Sequence, residues 1–261
     1  SDAPHLDAQR ILLHVLKQRE PSYLLAHSDK QLTPEQLSEI TRMQDARKTG
    51  MPLAYILGTA DFYGRTFIVT PDVLIPRPDT EILIEKALEY IARHPGPRAG
   101  IHGDMSGFRV KPGMTIADIG TGSGCIAITL ALELKEKHRI IATDISEAAL
   151  AIAKQNAAIH GVLNRIEFIQ GDMLEPFDFA QGKPYKIDLI VSNPPYVPSE
   201  ELQPHSALRA SRGKIETQGL DFEPHLALDG GPDGLKFVNQ IKASGIPAII
   251  ETIGGEIITT F

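Results

Sequence analysis

Residues 115–131, TIADIGTGSGCIAITLA, combine a short apolar run, three closely spaced glycines and a second apolar run. The first run predicts a buried strand over 115–119, and the second predicts a helix over 123–137. Open α/β sheets bind ligands where a strand enters a helix through such a turn, beside the carboxyl ends of the strands. The segment therefore predicts a Rossmann-like sheet with a ligand site at the glycines.

A regular alternation of strand and helix patterns surrounds this segment. Continuous apolar runs predict strands, and 3.6-residue periodicity predicts helices between most of them. The continuous apolar character is typical of strands covered on both faces, so we expect a mostly parallel sheet with helices on both sides. The predicted strands are 139–144, 165–170, 187–192 and 248–252, and the further predicted helices are 146–160 and 235–243.

The chain divides into three predicted regions. Residues 1–50 read as a small helical domain, in which Thr33, Pro34 and Gln36 form a capping-box pattern. Residues 51–74 predict a hairpin and linker, and residues 75–261 the α/β domain, whose first helix has Asp79 as its candidate cap. Residues 94–114 predict a loop, and residues 194–234 a long segment of the kind that shapes a site.

Composition limits the classes of partner. The chain has 261 residues with 26 basic and 33 acidic side chains, a net charge of −7 that disfavours general attraction to nucleic acid. A single cysteine, Cys125, cannot form an internal disulfide, and the nine histidines lack metal-site spacing. Residues 1–10 have neither a basic region nor an apolar region of the signal-peptide type, and no apolar run is long enough to cross a bilayer, so we expect neither secretion nor membrane spanning. We therefore expect a cytoplasmic monomer without a metal, and we expect Cys125 to be a small core residue.

The glycine turn favours a cationic nucleoside over a dinucleotide. Position 125 is Cys where the dinucleotide fingerprint has its third glycine. Asp118, two residues before the turn, would repel a pyrophosphate but attract S-adenosylmethionine, which carries an ammonium and a sulfonium. The predicted cofactor-binding residues at this turn are therefore Asp118, Gly120, Thr121, Gly122, Ser123 and Gly124.

Acidic residues also follow the next two strands. Asp144 ends the second strand 24 residues after Gly120, where a carboxylate can accept hydrogen bonds from both ribose hydroxyls. Asp172 ends the third strand and is predicted to reach the adenine amino group, with Met173 as an apolar surface for the ring. An isolated Asp is more often a cap or turn former, but three such strand ends together indicate a nucleoside site.

Residues 187–198, IDLIVSNPPYVP, end a fourth apolar strand in Asn193, Pro194, Pro195 and Tyr196. The proline that follows Asn193 holds it extended, and two successive rings stiffen the chain. Pro194 has a carbonyl but no N–H, so this carbonyl and the Asn193 side-chain oxygen form two fixed acceptors. With Tyr196 packed on a flat amide or base, these four residues predict a catalytic slot for an NH₂ group, which also brings Asn193 to the cofactor.

The chain resembles the class I S-adenosylmethionine-dependent methyltransferases and, more closely, the protein N5-glutamine methyltransferases that act on peptide chain release factors. The general motifs are GTGSG at 120–124, Asp144, GDM at 171–173 and NPPY at 193–196. Four further segments are similar to that group in particular: PLAYILG at 52–58, FYG at 62–64, IPRPDTE at 75–81 and LALDGGPDGL at 226–235.

The resemblance implies methyl transfer to the glutamine side chain in a Gly-Gly-Gln tripeptide of a release factor. It also implies that the N-terminal helices dock this partner and that the turn from Arg77 to Glu81 lines the active site, so Arg77 is a predicted substrate-binding residue. By the same comparison, the closing antiparallel strands are expected to be missing after ETIGGEIITTF at 251–261. That loss would leave a buried strand unpaired.

Three alternatives stay open at this stage. An amino-methyltransferase acting on a nucleic-acid base would present the same NH₂ group to Asn193. A catalytically silent module would keep the nucleoside pocket without turnover. A dinucleotide-dependent redox enzyme is a more distant alternative, because Cys125 replaces the third glycine.

Overall fold

The computed structural model of the protein describes residues 3–94, 113–134, 138–177, 185–203 and 219–260. Nearly all of the predicted loop at 94–114 lies outside these ranges, as does part of the long segment at 194–234. The described part of 194–234 contains three short 3-10 helices, at Ser199–Leu202, Leu220–Phe222 and His225–Ala227.

Four helices begin the chain: α1 (Pro4–Val15), α2 (Ser22–Ala26), α3 (Pro34–Lys48) and α4 (Leu53–Leu57). The capping-box prediction is confirmed, since the Gln36 N–H donates to Thr33 Oγ1 and the Thr33 N–H donates to Gln36 Oε1. Helix α1 packs on α3, where Ile11 and Met43 are buried. Helix α4 was not predicted, because five residues are too few to show periodicity.

A hairpin follows, formed by β1 (Thr59–Phe62) and β2 (Arg65–Ile68), which pair antiparallel. Its two turn residues, Tyr63 and Gly64, both have positive φ, as a tight two-residue hairpin turn requires. Helix α5 (Asp79–Arg93) comes next. The prediction of Asp79 as its cap is wrong: Pro78 occupies the cap position, and Asp79 is the first helical residue.

The second sheet has six strands in the order β5-β4-β3-β6-β7-β8. All neighbouring pairs are parallel except β7 and β8. The strands are β3 (Thr115–Ile119), β4 (Arg139–Asp144), β5 (Ile166–Gln170), β6 (Leu189–Ser192), β7 (Ala248–Glu251) and β8 (Ile257–Thr260). The helices between them are α6 (Cys125–Glu133), α7 (Glu147–Ile159) and α8 (Lys236–Ala243).

Strand β8 corrects the expectation that the last buried strand lacks a partner. It pairs antiparallel with β7, from Ala248 opposite Thr260 to Glu251 opposite Ile257. The connection between the two strands is short, because Gly254 and Gly255 both have positive φ and turn the chain back on itself. Strand β7 is therefore hydrogen-bonded on both sides.

Both faces of the sheet are covered, as the continuous apolar strands predicted. One face packs against α5 and α6, with Leu83 and Ile128 fully buried. The other face packs against α8, with Ile190 and Val238 fully buried. The class I methyltransferase fold is confirmed. Because β3 to β7 run parallel, their carboxyl ends lie along one edge of the sheet.

Candidate active site

A cavity of about 260 Å³ opens at the carboxyl edge of the sheet. Nine predicted site residues line it: Gly120, Thr121, Gly122, Ser123, Asp144, Asp172, Met173, Asn193 and Pro195. Five others do not: Arg77, Asp118, Gly124, Pro194 and Tyr196. This volume is slightly below the usual range for small-molecule sites, about 300–1,000 Å³.

The glycine turn is a backbone cradle that faces the cavity. Gly120 and Gly122 have φ values of 71° and 53°, and nothing lies within 4 Å of a Cβ built on either residue. A side chain at these positions would therefore occupy the cavity itself. The N–H groups of Gly120 and Thr121 both donate to the Thr143 carbonyl at 2.9 Å, which fixes the turn to the end of β4.

Asp144, the last residue of β4, is both part of this turn and part of the cavity wall. Its Oδ2 accepts from the Gly122 N–H at 2.9 Å, and its Oδ1 accepts from the Ser146 N–H at 2.9 Å. Burial raises the pKa of its carboxyl, while these backbone donors oppose that shift. Each oxygen keeps a lone pair for an external donor.

Asp118 lies behind the turn and not in the cavity. It is completely buried, and its Oδ2 accepts from the Thr121 hydroxyl at 2.6 Å and from the Ala127 N–H at 3.0 Å. Burial raises the pKa of its carboxyl to about 7, against the lowering effect of these bonds. Asp118 therefore ties the glycine turn to the first turn of α6. Because Asp118 does not line the cavity, its position does not favour the predicted direct contact with a cationic ligand.

Gly124 serves packing and not ligand binding. Its φ is 82°, and a Cβ there would lie 2.9 Å from Ile128 Cδ1 and 3.1 Å from Ala153 Cβ. Its small size therefore lets α6 start close to α7. Cys125, the next residue, is buried, and burial raises the pKa of its thiol to about 12, which agrees with a core residue and not a nucleophile.

The end of β5 supplies Asp172 and Met173. Asp172 lies at the cavity rim, while Met173 is buried and contributes an apolar wall. Met173 has a φ of 48°, unusual for a residue with a side chain, and this turn directs the chain around the pocket. The Gly171 N–H donates to the Asp144 carbonyl at 3.0 Å, which joins this strand end to the previous one.

Asn193 follows β6 and contributes its side chain to the cavity wall. Its Nδ2 donates to Thr80 Oγ1 at 3.0 Å, and the bond crosses 113 positions of sequence. Thr80 is in the first turn of α5 and is buried. Because the nitrogen of the amide is engaged, its oxygen is the atom left for another donor.

Of the other residues of the Asn-Pro-Pro-Tyr motif, Pro195 lines the cavity, whereas Pro194 and Tyr196 form the wall behind Asn193. Pro194 is buried, and within the described ranges no hydrogen bond to its carbonyl is found. The Tyr196 hydroxyl donates to Glu251 Oε1 at 3.2 Å, and burial raises the pKa of Tyr196. The backbone of Tyr196 packs on Gly230 and Gly234, where a Cβ would lie 2.6 Å from Tyr196 Cα and 2.3 Å from its carbonyl oxygen, respectively.

Arg77 forms an ion pair outside the cavity. Its Nη2 lies 2.6 Å from Glu223 Oε1, and the Glu223 side chain is 2% exposed. Burial raises the pKa of Glu223, and Arg77 lowers it. The pair anchors the segment that follows Glu223, whose residues Pro224, Leu226 and Ala227 line the cavity.

Glu223 and Glu251 were not among the predicted site residues. Thr80 was not predicted by itself, but it lies in the turn from Arg77 to Glu81 that the resemblance implies at the active site, and it does line the cavity. Glu251 ends a buried strand in an acidic residue, the same signal that marked Asp144, so it could have been found. The pairing of Thr80 with Asn193 and of Glu223 with Arg77 had no sequence signal, because the partners are 113 and 146 positions apart.

Metal-ligand clusters and membrane-crossing helices are both missing from the described part of the chain. No group of three or more His, Cys, Asp or Glu residues there is arranged to hold a metal ion. Among the same residues, no helix has the length and apolar character that a membrane crossing demands. The absence of a metal, the monomeric state and the cytoplasmic location stay predictions.

Two family models match the chain, a methyltransferase domain over residues 110–237 and a PrmC N-terminal domain over residues 1–58. The release factor glutamine methyltransferase of Chlorobaculum tepidum is 38% identical over 254 residues, covering 97% of this chain and 77% of that protein. The one from Bacillus anthracis is 39% identical over 241 residues, covering 92% and 74%. A bifunctional methyltransferase of Rickettsia bellii is 41% identical over 241 residues, covering 89% of this chain but 40% of that protein.

Proposed function

The chain belongs to the release factor glutamine methyltransferases, and we propose that it methylates the side-chain amide nitrogen of the glutamine in a release factor's Gly-Gly-Gln tripeptide. The methyl donor is S-adenosylmethionine, and the partner is the release factor itself. The Asn193 amide carries the proposal: Thr80 engages its nitrogen, so its oxygen is available to a donor in the cavity.

The glycine-turn side of the cavity has the features needed to hold the cofactor. Gly120 and Gly122 leave room for close approach, and Asp144 keeps lone pairs for the two ribose hydroxyls. Asp172 and Met173 are placed at the rim and wall, where an adenine ring would lie between a polar edge and an apolar surface. Asp118 contributes by holding the turn from behind.

The Asn193 side of the cavity fits a primary amide. The Asn193 side-chain oxygen and the Pro194 carbonyl would each accept one hydrogen of the glutamine NH₂ group. When bound, the cofactor would supply an electrophilic methyl group in exchange for a neutral thioether, and the amide nitrogen that receives it would give up a proton to water. The chain's own contribution is to position the amide and to keep its acceptors aimed at the nitrogen, where positive charge develops.

The remaining assignments concern the regions around the site. Residues 1–50 form the docking domain for the release factor, residues 51–74 the linker, and residues 75–261 the methyltransferase domain. Arg77 contributes to substrate binding through its ion pair with Glu223, which anchors residues 224–227 at the cavity wall. Tyr196 stiffens the wall behind Asn193 through its hydrogen bond to Glu251.

Mass spectrometry of a purified release factor incubated with the protein and S-adenosylmethionine tests the proposal. We expect one added methyl group, on the tripeptide glutamine, and none when that glutamine is replaced by glutamate. Labelled methyl groups on RNA or DNA alone would instead favour a base methyltransferase. Binding of S-adenosylhomocysteine without any turnover would identify a silent binding module.

A further inference from the structure

Glu251 is a buried carboxylate close to the amide site. It ends β7, beside the end of β6 that leads to Asn193, and the residue is 1% exposed. Its Oε1 accepts from the Tyr196 hydroxyl, whereas its Oε2 is buried without a hydrogen-bond partner among the described residues. An acceptor oxygen left unpaired in the interior raises the free energy of the folded state, so a nearby donor that rotates toward it stabilises the protein.

The Thr80 hydroxyl can be that donor. Its oxygen accepts from Asn193 Nδ2 at 3.0 Å, which leaves its one hydrogen for another acceptor. Among the described residues it makes no hydrogen bond to Glu251 Oε2 as placed, but it is close enough to the Glu251 carboxyl to lower its pKa. A hydroxyl has one hydrogen, which rotates toward the best acceptor. An ionised carboxylate accepts hydrogen bonds and donates none, so the Thr80 hydrogen belongs to Glu251, and the Thr80 oxygen is left to accept from Asn193.

The hydrogen bonds between Glu251 and Thr80 and between Thr80 and Asn193 form a directed series, because the direction of the first determines the direction of the second. We propose that Glu251 is a positioning residue whose carboxylate orients the Thr80 hydroxyl, and that Thr80 thereby holds the Asn193 amide with its oxygen toward the acceptor substrate. This inference rests on the proposed function and extends it to selectivity. The site then favours a side chain that offers two N–H hydrogens, and it disfavours one that offers only acceptor oxygens.

With a neutral side chain at position 251, the orientation of the Thr80 hydroxyl and of the Asn193 amide is no longer fixed. A glutamine introduced there can donate to Thr80, whose hydrogen then turns to the Asn193 oxygen, and the Asn193 amide rotates to show its nitrogen to the cavity. Protonation of Glu251 has the same effect. The carboxyl of Glu251 has a raised pKa because of burial; Tyr196 and Arg77 oppose the shift, and Asp79 adds to it.

Hydroxyl removal and restoration at position 80 provide the first test, with methyl transfer to the release factor as the readout. Thr80→Val is expected to lower kcat by about 30-fold, because a misplaced acceptor slows transfer. Thr80→Ser restores the hydroxyl and is expected to recover at least about a third of the wild-type kcat. Affinity for S-adenosylhomocysteine should stay within about threefold in both variants, because Thr80 orients the acceptor side.

Thr129 provides a matched control for removing a buried threonine hydroxyl. It lies in α6, is completely buried, and its hydroxyl has no hydrogen-bond partner in the described ranges. Thr129→Val should therefore keep the wild-type kcat. Thermal unfolding should show all of these variants to be folded at the assay temperature, so that a loss of kcat in Thr80→Val and not in Thr129→Val reflects positioning and not a general loss of structure.

The pH profile of kcat tests Glu251 directly. Wild-type activity should fall as the pH decreases through the raised pKa of Glu251, because orientation requires the ionised form. Glu251→Gln should be slower by about tenfold at neutral pH and should lack this acidic decline. Its binding preference for a Gly-Gly-Gln peptide over a Gly-Gly-Glu peptide should also be smaller than that of the wild type.

The outcomes separate the two proposals. A wild-type protein that leaves the release factor unmethylated contradicts the proposed function and the inference built on it. An active wild type with a Thr80→Val variant of equal kcat, or a Ser variant as slow as the Val variant, overturns only the positioning role. An unchanged acidic limb in Glu251→Gln also overturns it.

Discussion

The two halves of the cavity are built from different kinds of contact. The glycine-turn half uses residues 120–123, Asp144, Asp172 and Met173, and its bonds connect the ends of neighbouring strands through the backbone. The Asn193 half uses side chains that meet from distant parts of the chain: Asn193, Thr80, Tyr196 and Glu251. Conformation defines the first half, whereas hydrogen-bond direction defines the second.

This difference indicates how each half fails when it is changed. A backbone cradle loses affinity when its shape is disturbed, because the ligand can no longer approach the turn. A chain of directed side-chain bonds loses rate, because the acceptor amide stays in the cavity but no longer faces the methyl group. Substitutions in the glycine-turn half should therefore lower cofactor affinity, and substitutions in the Asn193 half should lower the turnover rate.

Asn193→Ala should have the largest effect. Loss of the acceptor oxygen is expected to lower kcat by about 10²- to 10³-fold, as for other groups that stabilise developing charge. Calorimetry with S-adenosylhomocysteine should give an affinity within about threefold of wild type. Equal losses of rate and cofactor affinity would mean that the two halves do not act separately.

Asp118→Asn should change how stability depends on pH. Burial raises the pKa of Asp118 from 3.8 to about 7. Between these values the folded state holds a proton that the unfolded state has lost, so the free energy of unfolding falls as the pH rises through this window. The amide of the variant cannot titrate, and the stability difference between the two proteins should change by up to about 3 kcal/mol between about pH 4 and pH 7.

Urea unfolding at several pH values measures this difference. The change should level off above about pH 7.5, where both states are ionised. If the free energy of unfolding changed with pH in the same way for both proteins, Asp118 would be ionised in the folded state over the whole range. That result would contradict a buried, protonated Asp118 behind the glycine turn.

Asp144→Ala should weaken cofactor binding by about 30-fold while kcat at saturating cofactor falls by less than about fivefold. The variant loses the proposed ribose acceptor and also frees the Gly122 and Ser146 N–H groups. Asp144→Asn is the matched control, since it keeps an acceptor and should lose less affinity. A loss of kcat as large as that of Asn193→Ala would contradict the claim that the two halves of the cavity act separately.

Gly124→Ala should have the smallest effect, on stability. Gly161 is the matched control, because it also has a positive φ but open space around its Cβ position. Both substitutions incur backbone strain, and only the first also crowds Ile128 and Ala153. Chemical denaturation should show Gly124→Ala to be about 1 to 2 kcal/mol less stable than Gly161→Ala, and equal losses would contradict the packing role.

The glycine-turn half was largely predictable from sequence, for a physical reason. Its strands β3 and β4 have the predicted bounds, because continuous apolar runs end abruptly at turn residues. Its Gly120 and Asp144 are informative without knowledge of any distant contact. The exceptions, Asp118 and Gly124, have the right type and spacing but lie behind the cavity, since a sequence pattern does not show which way a residue faces.

In the Asn193 half, Asn193 and Pro195 were predicted from their own motif, and Thr80 lies in the turn from Arg77 to Glu81 that the resemblance implies at the active site. Tyr196 was expected against the substrate, but it turns to Glu251 and forms the wall. Thr80 meets Asn193 and Glu251 meets Tyr196 through tertiary contacts, and no local pattern encodes which distant side chains will meet. Arg77 likewise pairs with Glu223 instead of lining the cavity, because a buried carboxylate needs a cation nearby.

A crystal structure of the protein with S-adenosylhomocysteine and a Gly-Gly-Gln peptide would test the central claim most directly. The glutamine nitrogen should lie about 3 Å from Asn193 Oδ1, with its second hydrogen directed at the Pro194 carbonyl and Asn193 Nδ2 still on Thr80. A glutamine bound outside the cavity, or an Asn193 side chain turned away from the cofactor sulfur, would contradict it.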